Sequence, residues 1–369
     1  MNDRATGRDR ILSALRHEEP DRVPIDLGST PSSGISAVAY DALKRHLGIG
    51  AGATQIYDVV QYLAQPEAEI IDRFGVDVLD VGRAFNGSPE AWRETTMPNG
   101  RPAQYPAWFT PKREADGTWI AYHEDGTPLA TMPSGAVFFD QIHVPWLDGY
   151  PDGRAAMDEA LDEAMDHVMW SYFVHSPWDR AGEPEFWATL RSETAALRES
   201  TDKALLIVCG CNLFEWGTFL RRMDNFLMDL YTDPRTVAML IELLMERHMA
   251  TLEKVCEAVG DIVDIVRFGD DLGMDSGPFM GMDVYRSLFE AHRTRLCDYV
   301  HRHSSMHTYL HTCGSVYQYI PSFIESGIEI INPVQTNCRD MDMERLKAGV
   351  GPDIVFCGGG ADPREIQNT

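Results

Sequence analysis

The chain has 369 residues, of which 57 are acidic and 32 basic, and its formal net charge is −25. This charge disfavours binding to nucleic acids and, unless arginines are gathered locally, to polyanionic substrates. No apolar stretch reaches the length of a membrane helix, and the charged N-terminus lacks the apolar core of a signal peptide. We therefore expect a cytoplasmic protein with no nucleic-acid or membrane partner.

The first eighty residues combine helical patterns with two short apolar runs. Helical spacing of apolar residues predicts helices over 8–17, 37–47 and 55–64. The apolar runs at 23–28 and 74–82 predict buried strands. Within the second run, a glycine ends a helix and the strand begins after it. This part of the chain therefore predicts a mixed α/β fold.

Residues 85–146 have a different composition, rich in proline, glycine and aromatic residues. The pairs Asp116–Gly117 and Asp125–Gly126 are typical of hairpin turns, and they flank the strand-like residues 118–122. We predict that 85–146 is an inserted hairpin and loop excursion that covers one end of the fold. Its tryptophans either shape a substrate pocket or only pack together, and they are Trp92, Trp108, Trp119 and Trp146.

Beyond the insert the pattern is regular, with helices predicted at 153–174 and 183–200 followed by alternating apolar strands and amphipathic helices. The alternating segments are 204–208, 226–259, 262–268, 284–303, 306–310, 317–326, 328–331, 343–348 and 354–356. Strands separated by helices of this length indicate parallel pairing with right-handed crossovers. The sequence therefore predicts one α/β barrel domain over residues 1–369, without internal repeats or linkers.

Five predicted strand ends carry polar residues. The segments are 209–215, 268–273, 311–315, 332–336 and 356–362. Because catalytic groups of a parallel barrel gather at the carboxyl ends of its strands, we expect these segments to meet at one mouth.

The strongest signal among them is the pair His311 and Cys313. Alternate residues of a strand face the same way, so both side chains can point at one centre. An imidazole and a thiolate suit zinc, and an incomplete protein shell leaves a catalytic position open. Cys357 ends a nearby strand and is the candidate third ligand. The alternative is a satisfied histidine beside an inert, buried cysteine.

Acidic residues supply the candidate proton donors. Two adjacent carboxylates, Asp270 and Asp271, repel each other, so one of them can have a raised pKa and serve as an acid. The alternative for this pair is helix capping. Glu215 is a further candidate metal ligand or proton donor, or merely a partner for Arg221 or Arg222.

Cys211, Asn332 and Gln335 follow other predicted strands and are candidate substrate-binding residues. The glycines 358–360 lack the Lys-Ser/Thr pair of a phosphate-binding loop, so a nucleotide site is not indicated. The seven cysteines are an odd number scattered over a chain without a secretion signal. Reduced thiols or metal thiolates are therefore expected rather than a disulfide framework.

Several of these motifs resemble the methyltransferase-like branch of the uroporphyrinogen decarboxylase superfamily. The resemblance is carried by FGDDLG at 268–273, LHTCGSVYQYIP at 310–321, GIEIINPVQT at 327–336 and FCGGGADP at 356–363. Residues 17–28 and 57–78 are similar to the same branch. The resemblance implies a (β/α)8 TIM-type barrel, a homodimer, and methyl transfer to or from a corrinoid (cobalamin) cofactor on a separate partner protein.

Zinc enzymes of this branch use a His-x-Cys pair and a distant cysteine, and His311 and Cys313 match the pair. The distant cysteine of the branch follows a later final strand, whereas here the chain stops at Thr369, soon after Cys357. The resemblance thus implies either that the last βα unit is missing or that Cys357, Asp271 or Glu215 completes the site.

From the residues and the resemblance together we predict a zinc-dependent methyltransferase, a demethylase that moves a methyl group from a small methylated substrate to a corrinoid protein. An O-methyl donor is favoured over a methylamine or a methylthiol. The alternative mechanism is methylation of a thiol, in which zinc binds the acceptor thiol and lowers its pKa. One alternative is a uroporphyrinogen decarboxylase-like lyase, but that substrate needs clustered arginines near the first strand, and none follows Arg22 there. Two others are an inactive barrel that only docks a partner, and a metal-dependent lyase or hydrolase with Asp270 as its base.

Overall fold

The computed structural model describes residues 5–49, 52–360, 362 and 365, so residues 361 and 363 of the FCGGGADP motif lie outside it. The strands are β1 (Ile35–Ser36), β2 (Thr54–Asp58), β3 (Leu63–Ala64), β4 (Val78–Asp80), β5 (Trp92–Thr96), β6 (Pro102–Pro106), β7 (Lys112–Arg113), β8 (Trp119–Tyr122), β9 (Pro128–Met132), β10 (Asp140–Gln141), β11 (Ala204–Gly210), β12 (Ile265–Gly269), β13 (Gly273–Met274), β14 (Gly277–Pro278), β15 (His307–His311), β16 (Ile330–Asn332) and β17 (Val355–Phe356).

The helices surround these strands. They are α1 (Gly7–Leu15), α2 (Ala37–Leu47), α3 (Ala68–Phe74), α4 (Gly153–Asp166), α5 (Met169–Tyr172), α6 (Phe186–Ser200), α7 (Phe214–Arg221), α8 (Met223–Thr232), α9 (Pro234–Val259), α10 (Met282–Tyr285), α11 (Ala291–His303), α12 (Ile320–Glu325) and α13 (Met343–Gly349). No helix in the described part of the chain is both long enough and apolar enough to cross a bilayer.

A parallel sheet of six strands forms the centre of the molecule. Its order is β17-β16-β15-β12-β11-β4, so strands that follow one another in the chain are neighbours in space. Each pair is parallel, as the alternation of strands and helices predicts. The sheet is open and curled like half a barrel. A closed eight-stranded barrel, which the resemblance implies, is not found among the described strands.

Residues 23–28 do not form the predicted first strand. The Ile25 amide donates a hydrogen bond to the Asp77 carboxylate at 2.8 Å, and the Ile25 carbonyl accepts one from the Asp77 amide at 2.8 Å. Pro24 has no N–H to donate. The segment therefore lies beside the start of β4 without forming a ladder, and the prediction of a strand here is wrong.

The predicted helix over 55–64 is also wrong, because this segment forms β2 and β3. Ile56 and Tyr57 of β2 are residues that favour extended backbone. Strand β2 pairs with β3 and, in parallel, with β6 of the insert. The insert therefore forms a continuous sheet with the elements that precede it.

Both predicted hairpin turns are confirmed. Asp116–Gly117 connects β7 to β8 and Asp125–Gly126 connects β8 to β9, and both glycines have positive φ angles, of 90° and 95°. The insert and the segments before it share an apolar cluster of their own that includes Tyr62, Tyr105 and Phe109.

The larger apolar cluster lies between the parallel sheet and the helices that connect its strands. The predicted helix over 226–259 is two helices, because Asp233 caps α9 through the Thr236 amide and Pro234 occupies its first turn. This packing holds the carboxyl ends of β11, β12 and β15 side by side, and the polar residues of the strand ends lie there.

Candidate metal centre and substrate cavity

Three potential metal ligands meet at the ends of β12 and β15. Nε2 of His311 lies 3.4 Å from Oδ1 of Asp271 and 3.5 Å from Sγ of Cys313. The three donor atoms all lie within 4.8 Å of one another. Typical zinc–ligand bonds in a tetrahedral site place donor atoms roughly 3.5 Å apart. The arrangement therefore fits one zinc ion with a fourth position open.

Asn332 on β16 holds the histidine in a form that can bind a metal. Its Oδ1 lies 2.7 Å from Nδ1 of His311, and its Nδ2 donates to the Cys357 carbonyl at 2.9 Å. Because Oδ1 is an acceptor, Nδ1 carries the proton and Nε2 presents its lone pair. Burial lowers the pKa of His311 to about 4, so the ring is neutral at neutral pH. Asn332, predicted to bind substrate, lies behind His311 and does not line the cavity.

Asp271 joins the loops that follow β12 and β15. Its Oδ1 accepts a hydrogen bond of 2.8 Å from the Cys313 amide. Burial and the nearby Asp271 carboxylate raise the pKa of the Cys313 thiol well above its usual value. A divalent cation reverses this effect, because its charge favours the thiolate.

Glu215 lies in the first turn of α7 and faces the same cavity. Its Oε2 accepts hydrogen bonds from the Asn212 side chain and, at 3.1 Å, from the Asp271 amide. Burial, followed by repulsion from Asp271 and Asp270, raises the pKa of Glu215 to about 8. At neutral pH this carboxyl group is therefore protonated and able to donate a proton.

Asp270, predicted as a catalytic acid, makes structural contacts. Its carboxylate accepts hydrogen bonds from the amides of Phe214 (3.2 Å) and Glu215 (3.0 Å) at the start of α7. It also forms an ion pair of 3.3 Å with Arg293, and its side chain is fully buried. Asp270 does not line the cavity, so the capping alternative describes its contacts.

Cys357 does not join the cluster of His311, Cys313 and Asp271. Its Sγ lies 3.7 Å from the hydroxyl of Tyr309, and burial raises the pKa of its thiol to about 11. The sequence leaves Cys357, Asp271 and Glu215 open as the third ligand. Of these three, Asp271 lies in the cluster with His311 and Cys313.

The other two predicted substrate contacts lie in different places. Cys211 lines the cavity, with its Sγ 3.8 Å from Sγ of Cys209. Gln335 accepts a hydrogen bond from the Gly314 amide and so supports the loop after β15. Of the two, only Cys211 lies where it can contact a substrate in the described cavity.

The metal-ligand cluster lies in a cavity of about 720 Å³, whose size suits a small organic molecule. Its wall is aromatic, and the rings are those of Phe138, Trp170, Phe173, Trp178, Trp216 and Phe219. The insert contributes Phe138, but the four tryptophans singled out in the sequence are not among the lining residues. Trp170 and Trp216 come from α5 and α7.

Sequence reasoning missed several polar residues of the lining, including Asp58, His175, His248 and Arg267. Arg267 had a detectable signal, since it is a charged residue inside the apolar run that predicts β12. The others lie outside the strand-end segments, so nothing in their spacing marks them.

Comparisons with known proteins leave the family open. No protein-family model matches the chain, and no curated protein is matched. A solved structure described as a methyltransferase from Methanosarcina mazei is similar, with 14% sequence identity over 92% of this chain and 81% of that one, and a TM-score of 0.46. At these values the similarity carries no information about the reaction or the substrate. The resemblance to the uroporphyrinogen decarboxylase superfamily stays a prediction.

Proposed function

We propose that this chain is a zinc-dependent methyltransferase that moves a methyl group from a small, O-methylated substrate to a corrinoid protein. The observation that carries the proposal is the cluster of His311, Cys313 and Asp271 in the wall of an aromatic cavity. Nitrogen, sulfur and oxygen donors suit zinc, and three protein ligands are typical of catalytic rather than structural sites.

Zinc held by these three residues would supply a Lewis acid for the heteroatom that carries the methyl group. Asn332 keeps the Nδ1 proton on His311, so that Nε2 stays available as a ligand. In this scheme Glu215, which lines the same cavity, gives its proton to that heteroatom.

The bond between the heteroatom and the methyl carbon breaks, and the heteroatom keeps the bonding pair and takes the Glu215 proton. The reduced corrinoid of the partner would supply the electron pair of the new bond to the methyl carbon. The aromatic rings of the wall lower the local polarity, which strengthens the electrostatic interactions of the reacting atoms.

The composition of the cavity argues against the decarboxylase alternative. Arg267 is the one arginine or lysine among the lining residues that the structure describes. A porphyrinogen carries many carboxylates, which a single cation does not balance. The cluster of His311 and Cys313 would also have no role in that reaction.

The proposal is tested with zinc-loaded protein, chemically reduced cobalamin and three donor classes: methoxylated aromatics, methylamines and methylthiols. We expect demethylated product and methylcobalamin from the methoxylated class, and loss of both with a chelator or in Cys313→Ala. Cys357→Ala, the matched control, keeps activity. Demethylation without cobalamin, undiminished turnover in Cys313→Ala, or no demethylation of any class would contradict the proposal.

A further inference from the structure

Arg267 lies in the middle of β12, between Val208 of β11 and Tyr309 of β15 in the ladder. Its side chain lines the cavity that contains His311 and Cys313, yet the residue is only 9% exposed. A guanidinium that is removed from water in this way needs an anion or several acceptors nearby.

The structure supplies no such acceptor from the described residues. Nε of Arg267 is buried without a hydrogen-bond partner, and no described carboxylate forms an ion pair with the guanidinium. Arg293 shows the contrast, because this arginine is also buried and pairs with Asp270 at 3.3 Å. The charge of Arg267 is therefore left for something that enters the cavity.

One acid of the lining, Asp58, is already hydrogen-bonded. Asp58 accepts hydrogen bonds from the amide of Gln61 at 2.8 Å and from its side chain at 2.9 Å. The neighbouring hydroxyl of Tyr57 is buried without a partner, like Nε of Arg267. Burial raises the pKa of Tyr57 well above its usual value, and the positive charge of Arg267 opposes that shift. Of these two donors, only Arg267 is among the described residues that line the cavity.

The aromatic residues of the cavity wall indicate what kind of molecule carries the anionic group that would pair with Arg267. Trp170 stacks on Phe219 with ring centroids 5.9 Å apart, and Trp216 meets Phe219 edge-on at 6.0 Å. Such surfaces favour a flat apolar body, especially an aromatic ring. Arg267 matches the planar, bidentate geometry of a carboxylate.

We propose that the substrate is a small aromatic carboxylic acid, whose carboxylate pairs with Arg267 while its ring packs on the aromatic wall. The inference rests on the proposed function, since it names the substrate class of the same cavity. The methylated heteroatom then belongs at the opposite end of the acid, toward His311 and Cys313. One arginine matches one carboxylate, so the acid carries a single anionic group.

The test compares 4-methoxybenzoate with 4-methoxybenzamide, which share the ring and the methoxy group and differ in that the first carries a negative charge and the second is neutral. Their affinities are measured by calorimetry and by quenching of tryptophan fluorescence, without any corrinoid. We expect the native protein to bind the acid at least about tenfold more tightly than the amide. Arg267→Gln removes this preference, and a circular dichroism spectrum and a melting temperature close to those of the native protein show that the variant is folded. Arg267→Lys keeps part of the preference for the acid over the amide.

Arg302→Gln is the matched control, because Arg302 is 72% exposed on α11, and it should bind both probes like the native protein. Equal affinities for the two probes, no binding of either, or undiminished acid binding in Arg267→Gln would overturn the inference. Acid binding that is lost with a chelator but not in Arg267→Gln would instead assign the carboxylate to the metal.

The two proposals fail in different ways. Acid that binds through Arg267 but is never demethylated would support the carboxylate site and contradict methyl transfer. Demethylation of neutral donors that does not depend on Arg267 would overturn the carboxylate site alone.

Discussion

Asp270 and Asp271 are neighbours in the chain and face opposite environments. At a strand end, successive side chains point to opposite sides, so one enters the protein interior and the other the cavity. Asp270 caps α7 and neutralises Arg293, while Asp271 approaches His311 and the Cys313 amide. Asp270 therefore stabilises the packing around α7, whereas Asp271 completes the cluster of potential metal ligands.

Replacing each acid by its amide separates these tasks. Asp270→Asn leaves the Arg293 charge buried and unpaired, so we expect the free energy of unfolding to fall by about 3 kcal/mol, with zinc retained. Asp271→Asn should lose zinc with much less effect on stability. Chemical denaturation and metal analysis of both variants measure the difference. Native stability together with abolished turnover in Asp270→Asn would return Asp270 to a catalytic role.

The residues of the candidate site were predictable to different degrees. His311 and Cys313 could be found because alternate residues of a strand share a face, which is a local property. The sequence alone could not show that Asp271 and not Cys357 lies beside this pair. The position of Asp271 depends on the strand register that sets Gly269 of β12 opposite His311. Arg267 escaped attention because its lack of a partner is visible only in three dimensions.

The loops after β12 and β15 touch through glycine. Gly314 has a φ of +87°, and a Cβ there would lie 2.2 Å from the carbonyl carbon of Gly273. A side chain at this point must push apart the two loops that carry Asp271 and Cys313. The close approach of these loops therefore sets the spacing of the metal ligands.

Gly314→Ala tests this link between loop packing and the cluster. We expect a loss of about 2 kcal/mol in unfolding free energy, from the left-handed conformation and the clash, and at least a tenfold loss in zinc affinity. Gly360→Ala is the control, because a Cβ at Gly360 meets nothing within 4 Å. Zinc titration with a competing chelator measures the affinity. Native-like affinity in Gly314→Ala would show that the loops do not set the ligand spacing.

A second prediction at this scale concerns the hairpin of β8 and β9 and its contact with α4. His167 follows α4, and Nε2 of His167 lies 2.9 Å from Asp125 in the hairpin turn. The hydrogen bond to Asp125 raises the pKa of His167 in the folded protein. The pair therefore stabilises the fold fully below the unfolded pKa of 6.5, and this contribution is lost as the pH rises through the folded pKa.

Thermal unfolding of His167→Gln should accordingly differ most from the native protein near pH 6 and converge with it near pH 9. His46→Gln, at an exposed position on α2, should show no such trend. A difference that grows with rising pH would have the wrong sign for this ion pair.

Elements were predictable where the pattern was local and unambiguous, as in the parallel strands β11, β12 and β15. The errors at 23–28 and 55–64 have tertiary causes. The first segment gives its hydrogen bonds to Asp77, and the second pairs with a strand of the insert, β6. Neither partner is close in sequence, so periodicity alone could not reveal them.

Over the whole molecule, the alternation of strands and helices correctly predicts a parallel sheet. Closure of the sheet into a barrel could not be predicted from this alternation, because closure depends on how the N-terminal segment pairs with the sheet. The strongly negative net charge disfavours polyanionic substrates. The described lining of the cavity nevertheless contains one arginine, Arg267. The single arginine of the described lining is consistent with the proposed substrate, which carries one anionic group.

The central claim is that His311, Cys313 and Asp271 hold one catalytic zinc ion. Elemental analysis of protein purified without added metal tests it most directly, with Cys313→Ala and Cys357→Ala as a matched pair. The account predicts about one zinc per chain in the native protein and in Cys357→Ala, and none in Cys313→Ala. Well-folded native protein without zinc, or equal loss of zinc in the two variants, would contradict it.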